Sequence, residues 1–208
     1  MYIRTTEVRG DPAKIDDGLT LVREELFPAV SAMDGCVGMS MLYDRQTGRC
    51  VTTTAWSSED AMQASAAAVR PLRDRAERTL GATSGRYVHQ WEVAVMHRDH
   101  ATPDGACARL TWLSGDPSKV DDTIDMYRMV ILPQIQGLSG FCSASLMVDR
   151  ETGRVVGTAA FNSREDIEAS REISAGIRER VVRELGATVD DVEEMEIGFA
   201  HLHVPEMA

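Results

Sequence analysis

Along the chain, apolar positions switch between a strand period and a helix period. Tyr2 to Val8 reads as a strand, and after Gly10-Asp11-Pro12 the residues Ile15, Leu19, Val22 and Leu26 fall at helical spacing. Asp11 suits the cap of that helix, because its carboxylate accepts from free backbone N–H groups, and Pro12 loses no helical hydrogen bond there. Pro28 is expected to kink or break the helix, with a short second segment leading to Gly35. Cys36 to Tyr43 and Arg49 to Trp56 then read as two strands. Asp44-Arg45-Gln46-Thr47-Gly48-Arg49 joins them as a hairpin turn, with glycine where φ is positive. Ser58-Glu59-Asp60 opens a second long helix and Leu80-Gly81 closes it. A last strand runs from Tyr87 to Met96.

The same order then recurs. A shift of 105 residues aligns Arg4 through Thr83 without a gap, and about 30 of the roughly 80 positions are identical. Gly10-Asp11-Pro12 returns as Gly115-Asp116-Pro117, the hairpin as Asp149-Arg150-Glu151-Thr152-Gly153-Arg154, and Leu80-Gly81 as Leu185-Gly186. After one deletion, Trp91-Glu92-Val93 matches Met195-Glu196-Ile197. Residues 97–106 are polar, contain Pro and Gly and have no copy, so they read as a linker between repeats 1–96 and 107–208. Each repeat has the order βαββαβ, a ferredoxin-like antiparallel sheet with both helices on one face. The open face needs cover, and two repeats packed sheet to sheet supply it. The expected class is α+β, two ferredoxin-like repeats forming a dimeric-type α+β barrel.

Three features extend the comparison: proline seven residues before glycine (Pro28 to Gly35; Pro133 to Gly140), the D-R-x-T-G-R hairpin, and an aromatic before the second helix (Trp56-Ser57-Ser58; Phe161-Asn162-Ser163). In these the chain resembles the antibiotic-biosynthesis-monooxygenase-like (ABM) family of the dimeric α+β barrel superfamily, in tandem duplication. The resemblance implies a cofactor-independent monooxygenase acting on a small aromatic or polyketide-like substrate. The alternative is a non-catalytic small-ligand-binding or structural accessory protein of the same fold. Haem-degrading members resemble one another in a helical Trp and, about ten residues on, a His. Those positions here are Ser65 and Arg75, and Ser170 and Arg180, so no axial ligand is expected there.

Charge narrows the partners. A net charge of −11 opposes binding to nucleic acid or anionic membrane, both of which need clustered Lys and Arg. Without a signal-like or long apolar segment, the cytoplasm is the expected location. Cys36, Cys50, Cys107 and Cys142 lack metal or dithiol spacing and read as buried free thiols. His201 and His203 share a strand face without an evident third ligand, so neither metal nor other cofactor is expected. The chain reads as a monomeric pseudo-dimer or a further homodimer of it.

Polar residues kept in both copies are the candidates for chemistry. Arg4 and Arg109 lie on first strands, Glu92 and Glu196 on last strands, and these strands neighbour one another in a ferredoxin-like sheet. Two equivalent pairs are therefore expected, Arg4 with Glu92 and Arg109 with Glu196. Each either fixes a cation that stabilises an enolate or phenolate, or fills polar space with an ion pair. Ser65 and Ser170, on the sheet-facing side of the second helix, either touch a ligand or bond back to their own helix. Trp56, Tyr87 and Trp91 beside the alanine-rich run Ala61 to Ala68 either frame a slot for a flat apolar or aromatic ligand or pack closely. Because these features differ between the copies, a pocket is expected on one side only.

Overall fold

The computed structural model describes residues 1–82 and 84–202. The first repeat comprises β1 (Tyr2–Arg9), α1 (Ile15–Leu21), α2 (Phe27–Ser31), β2 (Cys36–Tyr43), β3 (Arg49–Trp56), α3 (Glu59–Ala64), α4 (Ala66–Leu80) and β4 (Tyr87–Arg98). The second comprises β5 (Cys107–Ser114), α5 (Val120–Met126), α6 (Leu132–Gln136), β6 (Phe141–Asp149), β7 (Arg154–Phe161), α7 (Arg164–Ala169), α8 (Arg171–Leu185) and β8 (Thr188–Leu202). Hydrogen-bonded neighbours follow the order β1-β3-β2-β8-β5-β7-β6-β4, which closes on itself, the antiparallel α+β barrel topology expected of the duplication.

Over the described residues the chain divides into two compact units, one of Met1–Trp91 with Glu196–Leu202, the other of Glu92–Met195. Strands β4 and β8 therefore each contribute residues to both. In unit 1, β1 pairs with β3 from Tyr2↔Trp56 to Arg9↔Arg49, and β2 takes the far end of β8, with Met39 opposite His201 and Tyr43 opposite Glu196. Unit 2 repeats this arrangement. There β5 pairs with β7, and β6 takes the far end of β4, with Glu92 opposite Val148 and Met96 opposite Ser145.

The caps form as the residues dictate. The Asp11 carboxylate accepts from the Ala13 N–H at 2.9 Å, Ser58 Oγ accepts from the Ala61 N–H at 3.1 Å, and Gly81 ends α4 at φ +62°. Neither proline breaks its helix. A π turn over Val22–Leu26 precedes Pro28, another over Tyr127–Ile131 precedes Pro133, and the helical run continues to Ser31 and Gln136. A π turn accommodates the ring and the missing N–H by changing the hydrogen-bond register locally. The second helix, expected to be unbroken, is interrupted at Ser65 and Ser170, whose hydroxyls donate to Met62 O and Ile167 O at 2.7 Å each. Such back-bonding competes with the helical ladder.

Unit 1 packs Ile15, Val22, Leu26 and Met41 in one cluster and Val30, Trp56, Met62 and Val69 in another. Unit 2 packs Val120, Ile124, Tyr127, Leu146, Phe161 and Ile167. All four cysteines are free thiols; Cys50, Cys107 and Cys142 are buried, and Cys36 is only partly so. Burial pushes the Cys50 thiol up to about 11. Among the described residues no helix is long and apolar enough to cross a membrane.

The hairpin glycines show how tightly the turns are held. Gly48 sits at φ +71°, and a Cβ there would come within 2.1 Å of Gly10 O. Gly48→Ala should cost about 2 kcal/mol or more, read as a lower urea midpoint at unchanged m. Gly176, inside α8 with nothing within 4 Å of its would-be Cβ, behaves oppositely. Gly176→Ala should stabilise by roughly 0.5–1 kcal/mol.

Candidate functional site

Each unit buries one arginine of its first strand, and the two are held differently. Arg109 on β5 donates from Nη1 to Ser170 Oγ (2.8 Å) and Ser174 Oγ (2.6 Å), and from Nη2 to Ile167 O (2.7 Å) and Glu194 Oε1 (2.7 Å). Its Nε also donates to Glu194 Oε1, at 3.2 Å. A guanidinium has five N–H groups, so Arg109 is saturated by the break between α7 and α8 and by one carboxylate of β8. Glu194 receives a second cation as well, Arg171 Nη2 at 2.6 Å. Burial alone would raise this carboxyl, but the hydrogen bonds from Arg171 and Arg109 outweigh it and hold it below the usual carboxylate range.

Arg4 on β1 is as deeply buried and far less occupied. It donates to Ser65 Oγ at 3.0 Å and to Met62 O at 2.6 Å. Where unit 2 has Ser174, Arg171 and Glu194, unit 1 has Val69, Ala66 and Gln90. Gln90 instead accepts from Gln63 Nε2 at 2.8 Å. Among the described residues no carboxylate lies within ion-pair distance of Arg4. Burial lowers the Arg4 guanidinium below its ordinary value, and the neighbouring charge of Arg73 lowers it further.

The expected pairs of Arg4 with Glu92 and Arg109 with Glu196 do not form. Strand β4 passes into unit 2 at Glu92, whose carboxylate takes Arg150 Nε at 2.6 Å, while Arg150 Nη1 also binds Asp121 at 2.8 Å. Glu196 correspondingly lies in unit 1, accepts from Tyr43 OH at 2.9 Å and stands 4.0 Å from Arg45. The neighbour rule for first and last strands points to the correct strand but to the wrong residue. Glu194, two positions earlier and so on the same face, is the acid that meets Arg109.

Aromatic expectations are also corrected. Trp56 is fully buried among Val30, Met62 and Val69 and donates to Thr54 Oγ1 at 3.1 Å, so the slot beside the alanine-rich helix is filled. Trp91 is buried and donates to Thr5 Oγ1 at 3.0 Å, whereas Tyr87 is 66% exposed. Of the two readings of Ser65 and Ser170, back-bonding is what the geometry contains, with the buried arginine as their second partner. His201 packs on Phe27 with ring centroids 4.6 Å apart, and His203 lies outside the described residues. Among the described residues no group of three His, Cys, Asp or Glu is placed to hold a metal.

Cavities occur in both units rather than on one side only. Unit 2 has one of about 80 Å³ between the sheet and the helices, with Ile131, Leu146, Phe161 and Ile177 in an otherwise apolar wall. Its polar lining includes Arg109, Tyr127 and Arg178, and it carries no carboxylate or imidazole. Tyr127 OH donates to Ser145 O at 3.2 Å, and burial pushes its phenol far up. Unit 1 has a cavity of about 40 Å³ bounded by Arg4, Arg73, Glu77, the threonines Thr6, Thr52 and Thr54, and apolar residues. Arg73 and Arg178 were missed in the sequence. They continue the stripe Ser65-Val69-Arg73 and its copy Ser170-Ser174-Arg178, four residues apart on one helix face, which is the signal that finds them.

The comparisons with known proteins agree with this architecture. The family model described as antibiotic biosynthesis monooxygenase matches residues 1–69. Two uncharacterised proteins of Mycobacterium tuberculosis, Rv2557 and Rv2558, are each 45% identical across 100% of this chain, covering 92% and 87% of their own lengths. The chain belongs to the ABM family. Among solved structures, this ABM protein superposes on a candidate monooxygenase from Lactobacillus acidophilus with a TM-score of 0.70 at 8% identity, over 97% of this chain and 96% of that one. An anthrone oxidase-like protein gives 0.64 at 14% identity, over 94% and 90%. A haem-degrading enzyme from Listeria monocytogenes gives 0.50 at 8%, over 94% and 99%. At these identities the likeness is one of fold.

The saturated Arg109 cluster makes a stability prediction. Glu194→Gln should cost about 3 kcal/mol, since it strands a buried charge, whereas Glu92→Gln, on a half-exposed pair, should cost under about 1 kcal/mol. Because the Glu194 carboxyl is depressed when folded, its contribution is fully present above the ordinary carboxylate value of 4.5 and is lost as pH falls through the depressed value. Urea midpoints of the wild type and Glu194→Gln should therefore converge on acidification below about pH 4.5.

Proposed function

We propose that this ABM protein is a cofactor-independent monooxygenase whose substrate is a small, acidic aromatic molecule bound in the unit 2 cavity. The observation that carries this reading is the cavity itself, apolar over most of its wall with a guanidinium, that of Arg178, left over to face a ligand. Arg109 has no N–H to spare, so its part is to position the helix break. Arg178 lines the same space, has no hydrogen bond or ion pair among the described residues, and is pushed down by burial and then by Arg109.

The chemistry follows from what the wall contains. No carboxylate or imidazole lines the cavity, so the substrate must be acidic enough to ionise in water, and about 80 Å³ admits a single ring, as in a quinol acidified by an electron-withdrawing substituent. Its anion is stabilised against Arg178, in surroundings of low polarity where that attraction is strong. The anion reduces molecular oxygen. One oxygen atom enters at a ring C–H as a hydroxyl, the quinol becomes a quinone by losing its two hydroxyl hydrogens, the O–O bond breaks, and the other oxygen leaves as water with those two hydrogens. This balances without a further reductant.

Similarity to a haem-degrading enzyme raises haem as a ligand, and the residues do not fit it. Ser65 and Ser170 are occupied by the buried arginines, Arg75 pairs with Glu25 and Arg180 with Glu184. Neither cavity lining carries an imidazole or thiol, and Tyr127 is held as a phenol by burial. The missing base favours a second reading, in which the same cavity binds a small aromatic molecule without turnover.

Oxygen uptake measured with a set of single-ring quinols tests the proposal. Uptake should be seen with at least one of them, and Arg178→Met should lower kcat about ten-fold or more with the melting temperature little changed. Ligand binding without uptake would establish the second reading, and uptake indifferent to Arg178→Met would remove the role given to that residue.

A further inference from the structure

The unit 1 cavity is chemically unlike its counterpart. Arg4 is 2% exposed and retains only a serine hydroxyl and a backbone carbonyl as partners. Arg73, on α4, lines the same cavity, and its Nε is buried without a hydrogen-bond partner. Glu77 also lines the space, but it and Asp74 are both taken by Arg86 Nη1, at 2.8 and 2.5 Å. Two guanidinium groups thus share a small, mainly apolar cavity; among the described residues neither has an ion-pair partner, although Asp74 and Glu77 act on the charge of the partly buried Arg73. The fully buried charge of Arg4 is costly to leave unmet, and the like charge of Arg73 adds to that cost.

Unit 2 shows what the same scaffold does when the charge is met from within. There Glu194 stands where unit 1 has Gln90, and Ser174 where unit 1 has Val69. Unit 1 has an acid of its own, Glu77 where unit 2 has Val182, but that acid is turned to Arg86, so with the acid and hydroxyl that met Arg109 absent around Arg4 there is a place for an external acid. Size restricts that acid. The cavity is about 40 Å³, and a single water needs roughly 10–15 Å³, so there is room for about three or four non-hydrogen atoms. Val8, Leu26 and Leu72 in the wall suit a short alkyl end.

We propose that unit 1 binds a small monocarboxylate of the formate or acetate class, its carboxylate bridging Arg4 and Arg73 and the methyl group of acetate against the apolar wall. The site is separate from the unit 2 cavity and does not depend on the reaction proposed there. Bidentate pairing of guanidinium with carboxylate is the recognition chemistry, which a neutral amide of the same shape cannot reproduce.

Ligand-observed NMR with the protein in chloride-free buffer tests this, using formate and acetate as probes and acetamide and chloride as competitors. The carboxylates should bind the wild type, with acetamide failing to compete and chloride competing at least ten-fold less well. Arg73→Gln should weaken binding ten-fold or more. Gln90→Glu, which restores the internal acid found in unit 2, should weaken it similarly while raising the melting temperature, an outcome that misfolding cannot produce. Binding unchanged in both variants, no binding to the wild type, acetamide competing as well as acetate, or chloride competing equally would each overturn the proposal. Oxygen uptake by the wild type is read separately and should be unaffected by Arg73→Gln.

Discussion

Taking a guanidinium out of water is costly, and each unit of this protein does so on its first strand, facing the point where the second helix breaks. The two facts are coupled. Ser65 and Ser170 turn their hydroxyls back to the helix carbonyl three residues earlier, and the same oxygens accept from Arg4 and Arg109. Met62 O and Ile167 O, from the last turn before the break, complete the cradle. The arginine needs the interruption for its acceptors, and the interruption needs the arginine to occupy groups that a continuous helix would satisfy. Sheet, break and following helix are pinned at one place, and the cavities open beside it.

Much of this was legible before any coordinates. Caps, hairpins and glycine stops depend on local chemistry, and Asp11, Ser58, Gly48 and Gly81 do what their types require. The repeat register then doubled every inference. Pro28 stands in the first turn of the short second segment, α2, and what its type alone does not specify is the π turn that joins α2 to α1. The pairing of the buried arginines was misjudged for a different reason. Which residue of a long strand faces a given neighbour depends on where that strand passes from one unit to the other, and nothing local at Glu92 or Glu196 marks that point. Tertiary partners at strand separations of about 85 residues are set by register, and register is a property of the assembled sheet.

The internal duplication also separates scaffold from specialisation. Arg4 and Arg109, Ser65 and Ser170, Arg73 and Arg178 are common to both halves. Divergence is concentrated around them, in Gln90 against Glu194, Val69 against Ser174 and Ala66 against Arg171. Two of these differences, Gln90 and Val69, take from Arg4 the carboxylate and the second hydroxyl that Arg109 has, without disturbing the helix break that both require. The uneven aromatics, which suggested a ligand slot in the first half, instead fill core space, as Trp56 does.

The sharing of β4 and β8 between units bears on how the protein is made. Unit 1 takes in Met1–Trp91 but is not complete without the end of β8 from Glu196 to Leu202, which pairs with β2. On a ribosome, Glu196 emerges 153 residues after its neighbour Tyr43, so over that interval β2 presents an edge whose N–H and C=O groups lack their final neighbour. Long-range pairing of this kind is slow to form because loop closure must precede any gain from contact. The arginine cradle, by contrast, draws on residues 4 to 65 and is available early. A nascent chain can thus fasten its first strand to its second helix long before the sheet around them is finished.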